Sequence, residues 1–426
     1  MNGQLLKTLA TAWLTMTTCV GVAADDDWLT WRGPNRDGKS PATELLKEWP
    51  EEGPKKLWEF NELGRGFSTV AISDGVIYAT GDVGGEARTV ERRGRRRAVV
   101  EGGHLTLFAL NMDGEVQWTK KIDQAWTRSH AGSRSTPTID GDRLYLLTGH
   151  GLITCRDKKT ADEKWSKKTA DFGGRSGGWG YAESILILGD LAIVKPGGAQ
   201  CVVALDKHTG ETVWTSSGFS GGPEYSSCVP FTFEDRLCVA TGTRSGILCV
   251  DPADGAVLWS DPWSANNTAN CPDPAYADGR VFWANGYSKG GICLELSLAG
   301  GKVSAEEAWT TKDMVCHHGG YVIHEGHIYG NHSVGWSCLD LKTGKEKWNE
   351  RGVGKGSVLW ADDMLYLFSE NRGRVGLAKC LPDRFEMTGE FSVAGEGPSW
   401  AHPVVAGGRL YLRYDKNLYC FDVKAR

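Results

Sequence analysis

One pattern recurs along the chain, and it constrains the fold more than any other feature. Eight short strands, each preceded by a tight turn, share the form of Asp142-Arg-Leu-Tyr-Leu-Leu-Thr-Gly149. Each is followed by another short strand, a turn containing Gly or Asp, and a strand with an aromatic residue, as in Ala204-Leu-Asp-Lys-His-Thr-Gly-Glu-Thr-Val-Trp214. Four short strands repeated every 40 to 50 residues or so are typical of the blades of a β-propeller.

The ends of the chain predict how the ring closes. The aromatic residues of the units lie at positions 58, 118, 165, 214, 259, 309, 348 and 391. The eighth unit stops at Leu418-Tyr-Cys-Phe-Asp422 without its aromatic strand, and Lys56-Leu-Trp-Glu-Phe60 is an aromatic strand without a unit before it. Pairing the two removes an open sheet edge. We therefore predict an all-β, eight-bladed β-propeller of four-stranded antiparallel blades, with the ring closed by an N-terminal strand.

Two repeats carry a resemblance to a known family. Ala109-Leu-Asn-Met-Asp-Gly-Glu-Val-Gln-Trp118 and Cys338-Leu-Asp-Leu-Lys-Thr-Gly-Lys-Glu-Lys-Trp348 resemble the tryptophan-docking repeats of pyrroloquinoline quinone (PQQ) type propellers. The resemblance covers residues 57–426, and the segment from Trp28 to Gly38 is similar to the one preceding such propellers in secreted bacterial members. That family includes PQQ-dependent alcohol and sugar dehydrogenases and a non-catalytic subunit of the outer-membrane barrel assembly machinery. The fold alone does not choose between them.

The first residues predict export. Lys7 precedes a largely apolar run that ends at Val22-Ala-Ala24, before Asp25. The run is too short to span a bilayer but suits a cleaved signal. Cys19 leaves a lipoprotein as the alternative, although Met16-Thr-Thr18 is a poor lipobox. We predict a signal peptide at 1–24, an N-terminal extension at 25–56 and one propeller at 57–426, in a periplasmic or secreted monomer without a transmembrane segment.

The cysteines predict buried thiols rather than a disulfide framework. The position of Ala109 in the first unit is aligned with Ala204 and with six of the 12 cysteines: Cys155, Cys249, Cys293, Cys338, Cys380 and Cys420. A free cysteine behaves as a small hydrophobe, and equivalent positions of different blades are too far apart to bridge. One disulfide remains open among Cys201, Cys228, Cys238, Cys271 and Cys316.

The loops predict one binding face. Loops between blades share a face with the loops between second and third strands, around the central channel, and they are rich in Arg, His and Trp. The opposite face repeats plain turns such as Ser73-Asp-Gly75. The predicted ligand-binding residues are Arg128, His130, Arg134, Arg175, Trp179, Glu224, Asn270, His317, His318, Lys355, Trp400 and His402. No spacing of the histidines indicates metal ligands, so no metal site is predicted.

The first blade carries an insertion at residues 84–103 with the basic run Arg92-Arg-Gly-Arg-Arg-Arg97. Its flanks predict a hairpin that turns at Gly94. A basic tip attracts an anionic ligand or partner, and a solvated protrusion is the alternative. The net charge of −5 argues against a nucleic-acid partner.

Two functions remain. The first is a non-catalytic binding or scaffold protein whose channel face takes a protein, a glycan or a small anion. The alternative, implied by the resemblance, is a PQQ-dependent alcohol or sugar dehydrogenase that uses a divalent cation such as Ca²⁺, with Glu224 and Asn270 as oxygen ligands. Against the enzyme, the chain has no adjacent cysteine pair and no Cys-x-x-Cys-His haem site, and Asp273 is the nearest base. We favour the binding protein and assign no cofactor or catalytic residue.

Overall fold

The computed structural model describes residues 26–92, 95–265 and 269–425. Eight four-stranded antiparallel blades form a closed ring, which confirms the predicted propeller. Lys39–Ser40 adds a short parallel strand to the first strand of blade 7. One short 3₁₀ helix, Thr169–Phe172, follows the second blade. In the described part of the chain, no helix is both long and apolar enough to cross a bilayer. The predicted signal peptide at 1–24 and the turn at Gly94 lie outside the described residues.

Each blade runs from a first strand at the channel to a fourth strand at the rim. Blade 1 consists of Ala71–Ser73, Val76–Val83, His104–Asn111 and Val116–Gln124, and blade 2 of Thr138–Asp140, Arg143–Leu147, Leu152–Asp157 and Glu163–Lys168. Blade 3 consists of Leu186–Leu188, Leu191–Val194, Val203–Asp206 and Thr212–Thr215, and blade 4 of Val229–Phe233, Arg236–Thr243, Gly246–Val250 and Val257–Asp261. Blade 5 consists of Ala275–Ala277, Arg280–Asn285, Gly290–Ala299 and Lys302–Thr311, and blade 6 of Tyr321–His324, His327–His332, Gly335–Asp340 and Glu346–Glu350. Blade 7 consists of Gly356–Ala361, Met364–Ser369, Arg374–Lys379 and Met387–Ser392, and blade 8 of Val404–Ala406, Arg409–Tyr414, Asn417–Asp422 and Lys55–Phe60.

Five repeat tryptophans, Trp58, Trp165, Trp214, Trp309 and Trp348, donate their indole N–H to a backbone carbonyl of the next blade. The indole N–H of Trp165 donates to the carbonyl of Lys207 at 3.0 Å, and that of Trp214 donates to the carbonyl of Pro252 at 2.9 Å. At Gly210, where φ is +75°, an added Cβ would lie 2.7 Å from the Trp165 ring. Glycine suits this turn for two reasons: the backbone is left-handed there, and the tryptophan ring leaves no room for a Cβ. As predicted, these tryptophans fill the gaps between blades.

Blade 7 departs from the repeat, and two predicted correspondences there are wrong. In blade 2, the small residue of the repeat stands just before the register shift between the third and fourth strands. In blade 7, the residue just before this shift is Leu377, which pairs with Tyr366. Leu377, rather than Cys380, therefore occupies the repeat position. The residue opposite it is Gly389, so Phe391 does not replace the repeat tryptophan.

Trp49 of the N-terminal segment fills the space that blade 7 leaves. A Cβ at Gly389 would lie 2.6 Å from the Trp49 side chain. The ring centroids of Trp49 and Tyr366 lie 6.0 Å apart, close to the 6.2 Å between Tyr145 and Trp165 in blade 2. A residue from outside the repeats thus supplies the missing aromatic contact.

The N-terminal strand closes the ring as predicted. Lys55–Phe60 pairs antiparallel with Asn417–Asp422 and becomes the fourth strand of blade 8. Trp58 on this strand donates to the carbonyl of Met112 in blade 1 at 2.8 Å. An added Cβ at Gly114 would lie 2.6 Å from its ring. The closing strand therefore completes one blade and docks it on the next.

Residues 28–40, here called the plug segment, enter the channel, which the sequence did not predict. The segment contacts every blade at its first strand or within two residues of it, at Ile72, Ile139, Ile185, Cys228, Asp273, Tyr321, Trp360 and Val405. Contact with all eight first strands places the segment on the axis of the ring. The plug segment therefore ties the blades together from inside.

Arg36 is the central anchor of the plug segment. Its side chain is 2% exposed, and its Nη1 donates to the carbonyl of Cys228 at 2.8 Å. Its Nη2 donates to the carbonyls of Ser184 at 2.7 Å and Ile185 at 3.0 Å. The planar guanidinium thus joins blades 3 and 4, which a lysine ammonium cannot do with the same geometry.

The eleven cysteines in the described residues are all free, and nine of them are buried. This agrees with the expectation of buried thiols. The insertion in blade 1 forms the predicted hairpin, because Glu86–Arg92 pairs antiparallel with Arg95–Glu101. The role of its basic run stays a prediction.

Candidate functional site

A cavity of about 250 Å³ opens at the channel, on the face that carries the loops between blades. Thirteen described residues line it: Trp31, Phe67, His130, Arg134, Trp179, Ala182, Tyr225, Ala269, Cys271, Tyr287, His317, His318 and Trp400. Trp31 is the plug-segment residue among them, so the plug closes the inner end of the cavity. We call this space the channel-mouth cavity.

Aromatic rings and imidazoles pack against one another in the wall. His318 stacks on Trp400 with ring centroids 4.1 Å apart and 23° between the planes. Trp400 also contacts Phe67 at 4.7 Å and His130 at 4.9 Å. Trp179 meets Tyr225 edge-on at 5.8 Å. These contacts fix large flat surfaces around the cavity before any ligand arrives.

His317 is held at both ring nitrogens. Lys355 Nζ lies 3.2 Å from Nδ1, and the Tyr287 hydroxyl lies 3.0 Å from Nε2. Lys355 in turn pairs with Glu370 Oε1 at 3.0 Å. Burial, together with the Lys355 charge, lowers the pKa of His317 to about 4. The ring is therefore neutral at neutral pH.

The other two central histidines are also neutral for the same physical reason. Burial lowers the pKa of His402 to about 3 and holds that of His318 well below its usual value. His402 Nε2 lies 3.0 Å from the carbonyl oxygen of His318, and its ring meets Trp31 at 4.7 Å. His402 thus lies behind the wall and supports it.

Arg134 is the cationic side chain of the wall. Its guanidinium lies 5.7 Å from the centroid of Phe67 and 5.5 Å from that of Trp126. Its Nη atoms donate to the carbonyls of Gly132 and His130. Burial lowers the pKa of Arg134 to about 10, so the side chain stays charged at neutral pH.

Six of the twelve predicted site residues line the cavity, and the other six do not. The six in the wall are His130, Arg134, Trp179, His317, His318 and Trp400. Lys355 and His402 support the histidines. Glu224 is buried, accepts from Arg244 at 2.7 Å and from the Asn270 amide N–H at 3.1 Å, and so holds a loop. Arg128 and Arg175 are exposed.

Sequence reasoning missed three aromatic residues and the cysteine of the wall. Trp31 lies in the opening segment, Phe67 precedes the first blade, and Tyr287 follows the second strand of blade 5. Cys271 had been grouped with the unassigned cysteines. A usable signal existed for Tyr287, because it follows Asn285-Gly286 in a loop of the predicted face. Its backbone is left-handed, with φ +55°, and that of His130 has φ +53°, so both side chains are held by strained loops.

Asp82 lies beside this site in blade 1, and its titration gives a test of local electrostatics. One carboxylate oxygen accepts from the amide of Trp126 at 2.8 Å, while the other is buried without a hydrogen-bond partner among the described residues. Burial is the main cause that raises the pKa of Asp82 to about 6, although Arg134 and Arg413 act against it.

We expect Asp82→Asn to raise the free energy of unfolding, relative to the parent, more at pH 7 than at pH 4. The folded state binds the Asp82 proton more tightly than the unfolded state, so this contribution to stability is present below about pH 4 and lost as pH rises through about 6. Because the amide cannot ionise, the difference in unfolding free energy between variant and parent should grow by about 2–3 kcal/mol from pH 4 to pH 7. Urea unfolding at both pH values measures it, with exposed Asp113→Asn as control; equal differences at both pH values would refute it.

The fold and the cavity define a class: an eight-bladed β-propeller with a plugged channel and an aromatic mouth. A family model described as outer membrane protein assembly factor BamB matches residues 50–194 and 101–350. The match spans well over half of the chain, which therefore belongs to this family of PQQ-like repeat propellers. A sequence comparison with curated proteins finds no match.

Solved structures share the architecture at low identity. BamB from Moraxella catarrhalis has a TM-score of 0.56 and 15% identity over 87% of this chain and 98% of that one. Quinohemoprotein alcohol dehydrogenase ADHIIG from Pseudomonas putida HK5 has a TM-score of 0.60 and 12% identity over 94% and 81%. The computationally designed Ika8 protein has a TM-score of 0.56 and 9% identity over 87% and 100%. These identities show the fold alone.

The channel-mouth cavity does not fit PQQ with Ca²⁺. PQQ carries three carboxylates, and a hard cation requires oxygen ligands. Among the described lining residues there is one guanidinium, Arg134, and there is no carboxylate. The carboxylate of Asp273 is buried and already accepts from the indole of Trp31 at 2.6 Å and from the amide of Ser227. We therefore derive no catalytic step through a quinone.

Proposed function

We propose that this protein is a non-catalytic binding protein that accepts a planar, negatively charged group in its channel-mouth cavity. The group belongs to an exported protein, a glycan or a small ligand. The observation that carries the proposal is the composition of the wall: aromatic rings, imidazoles and one guanidinium, without a carboxylate among the described residues.

The rigid aromatic wall favours a ring-shaped ligand. Trp31, Trp179, Tyr225 and Trp400 offer flat apolar surfaces, and stacked or edge-on ring pairs are worth about 0.5–1.5 kcal/mol beyond the area that they bury. Because neighbouring rings already hold these side chains, binding costs little ordering entropy.

The charges favour an anion. Arg134 stands in the wall, and Arg128 and Arg175 lie exposed on loops of the same face. Because these two are exposed, each contributes about 1 kcal/mol or less to a charged contact. They contribute mainly to the rate of encounter and to selectivity.

The dehydrogenase alternative rests on the family, which includes quinoproteins, and on the likeness to a quinohemoprotein alcohol dehydrogenase. The binding alternative rests on the match to a family model described as an outer membrane protein assembly factor. The wall favours the second, because its described residues offer one guanidinium for the three carboxylates of PQQ and no carboxylate ligand for a hard cation. We extend the proposal to a periplasmic or secreted location, in keeping with the predicted signal peptide.

A pair of matched fluorescent probes tests the proposed cavity. 1-Anilinonaphthalene-8-sulfonate is planar and anionic, and N-phenyl-1-naphthylamine is its uncharged counterpart. We expect Trp400→Ala to weaken both about tenfold, since both lose a stacking surface. The double variant Arg128→Ala/Arg175→Ala should weaken the sulfonate alone, by about thirtyfold or less. Tyr276→Ala, on the first strand of blade 5, should change neither, because the Tyr276 ring stacks on Phe231 and is not part of the cavity wall.

The enzyme alternative is tested on the same protein. Purified protein with PQQ and Ca²⁺ is assayed for dye reduction over a panel of alcohols and sugars, and we expect no substrate-dependent reduction. Substrate-dependent reduction, or unchanged affinity of both probes in Trp400→Ala, would contradict the proposed function.

A further inference from the structure

Three side chains with metal-binding atoms converge in the wall of the cavity. Cys271 belongs to the loop between blades 4 and 5, and His317 and His318 belong to the loop between blades 5 and 6. The Cys271 thiol and one ring nitrogen of each histidine lie within 4.8 Å of one another. From this cluster we propose a copper(I) site with Cys271, His317 and His318 as its three ligands.

The geometry of the two histidines suits a ligand role. His318 Nδ1 is buried and has no hydrogen-bond partner among the described residues, and Glu370 Oε2 lies 4.0 Å from it. Stacking on Trp400 sets the plane of the His318 ring. A hydrogen bond at the second nitrogen of a metal-bound histidine fixes its orientation, and His317 already has a partner at each nitrogen.

Copper binding replaces the contact between Lys355 and His317, and both side chains keep another partner. If copper takes the Nδ1 side of His317, Lys355 keeps Glu370 as its partner at 3.0 Å, and the Tyr287 hydroxyl continues to orient the ring. The thiol of Cys271 gives up its proton on binding. Small side-chain rotations then bring all three ligand atoms to bonds of about 2.0–2.3 Å.

The ligand set and the charge select copper(I). Thiolate with imidazole is a soft set, which prefers Cu(I) or Zn²⁺ over Ca²⁺ or Mg²⁺. A thiolate with Cu(I) is neutral overall, whereas the same thiolate with Zn²⁺ leaves one positive charge. That charge would be costly near Arg134, because Glu370 already pairs with Lys355 and the described wall offers no further carboxylate. Three ligands suffice for Cu(I), and a structural zinc site takes four.

Competition with a chromophoric chelator tests the site. The full-length protein is titrated with Cu(I), without oxygen, against bicinchoninate, and we expect one equivalent to be withdrawn. Cys271→Ser, His317→Gln and His318→Gln should each lower the affinity about a hundredfold or more. X-ray absorption of the loaded protein should report one sulfur and two nitrogen neighbours.

Cys316→Ser is the matched control, because Cys316 is buried nearby with its sulfur 3.3 Å from the carbonyl oxygen of Gly320 and lies outside the cluster. It should keep the affinity of the parent, and circular dichroism checks that every variant is folded. Equal Cu(I) affinity in folded Cys271→Ser, or Zn²⁺ displacing Cu(I) from the parent at equal concentration, would overturn the proposal. The metal test uses neither fluorescent probe, so its result is independent of the proposed binding function.

Discussion

A chain that begins at residue 63 should lose its cooperative thermal transition and aggregate, because it lacks the fourth strand of blade 8. Lys55–Phe60 covers the strand Asn417–Asp422, whose first five residues are buried. Without it, a full row of backbone N–H and C=O groups becomes an open sheet edge, which is a template for intermolecular pairing. The docking of Trp58 on blade 1 is lost as well.

Circular dichroism during heating, with light scattering, measures this loss. Since the truncation also removes the plug segment, a synthetic peptide of residues 50–62 separates the two effects. Added in trans, it should restore a monomeric ring, while a scrambled peptide of the same composition should not. A truncated protein that melts as a monomer at the temperature of the full chain would show that closure is unimportant for stability.

The ring itself could be predicted because the repeats carry the residues that dock one blade on the next. The tryptophan, the small residue opposite it and the turn glycine occur at fixed spacing, so local sequence reports a contact between neighbouring blades. Blade 7 shows where this reasoning fails. Its aromatic partner, Trp49, is more than 300 residues away in sequence, so the nearby Phe391 was assigned instead.

The plug segment left no readable signal for a related reason. Arg36 and Arg32 bind backbone carbonyls, which every residue possesses, so no complementary side-chain motif marks their partners. An arginine in a segment outside the repeats is expected at the surface. Arg32 and Arg36 become buried only when the eight blades close around them.

Part of the cavity wall could be singled out from the sequence. His317 and Trp400 stand out as His and Trp in loops between blades, and both line the cavity. Phe67 and Cys271 look like core residues in sequence, and they become wall residues only when eight loops converge. The depressed pKa of His317 has the same origin, because its burial is created by neighbouring blades.

The plug segment provides the second large effect. We expect Arg36→Ala to lower the free energy of unfolding by about 3–5 kcal/mol. The substitution leaves three buried carbonyls, of Cys228, Ser184 and Ile185, without their charged donor, and it opens a void on the axis. It also removes the positive charge that the buried carboxylates of Glu183 and Asp273 face.

Urea unfolding at neutral pH measures the loss, with Arg128→Ala as the exposed control that should change stability by less than about 0.5 kcal/mol. Arg36→Lys distinguishes charge from geometry: it keeps the cation but not the planar fork, and it should recover only part of the loss. Because Trp31 lies five residues before Arg36 and closes the inner end of the cavity, a loosened plug should also weaken N-phenyl-1-naphthylamine in folded Arg36→Lys. If Arg36→Ala unfolds at the same urea concentration as the parent, the plug segment contributes little to stability, and the blades hold the ring on their own.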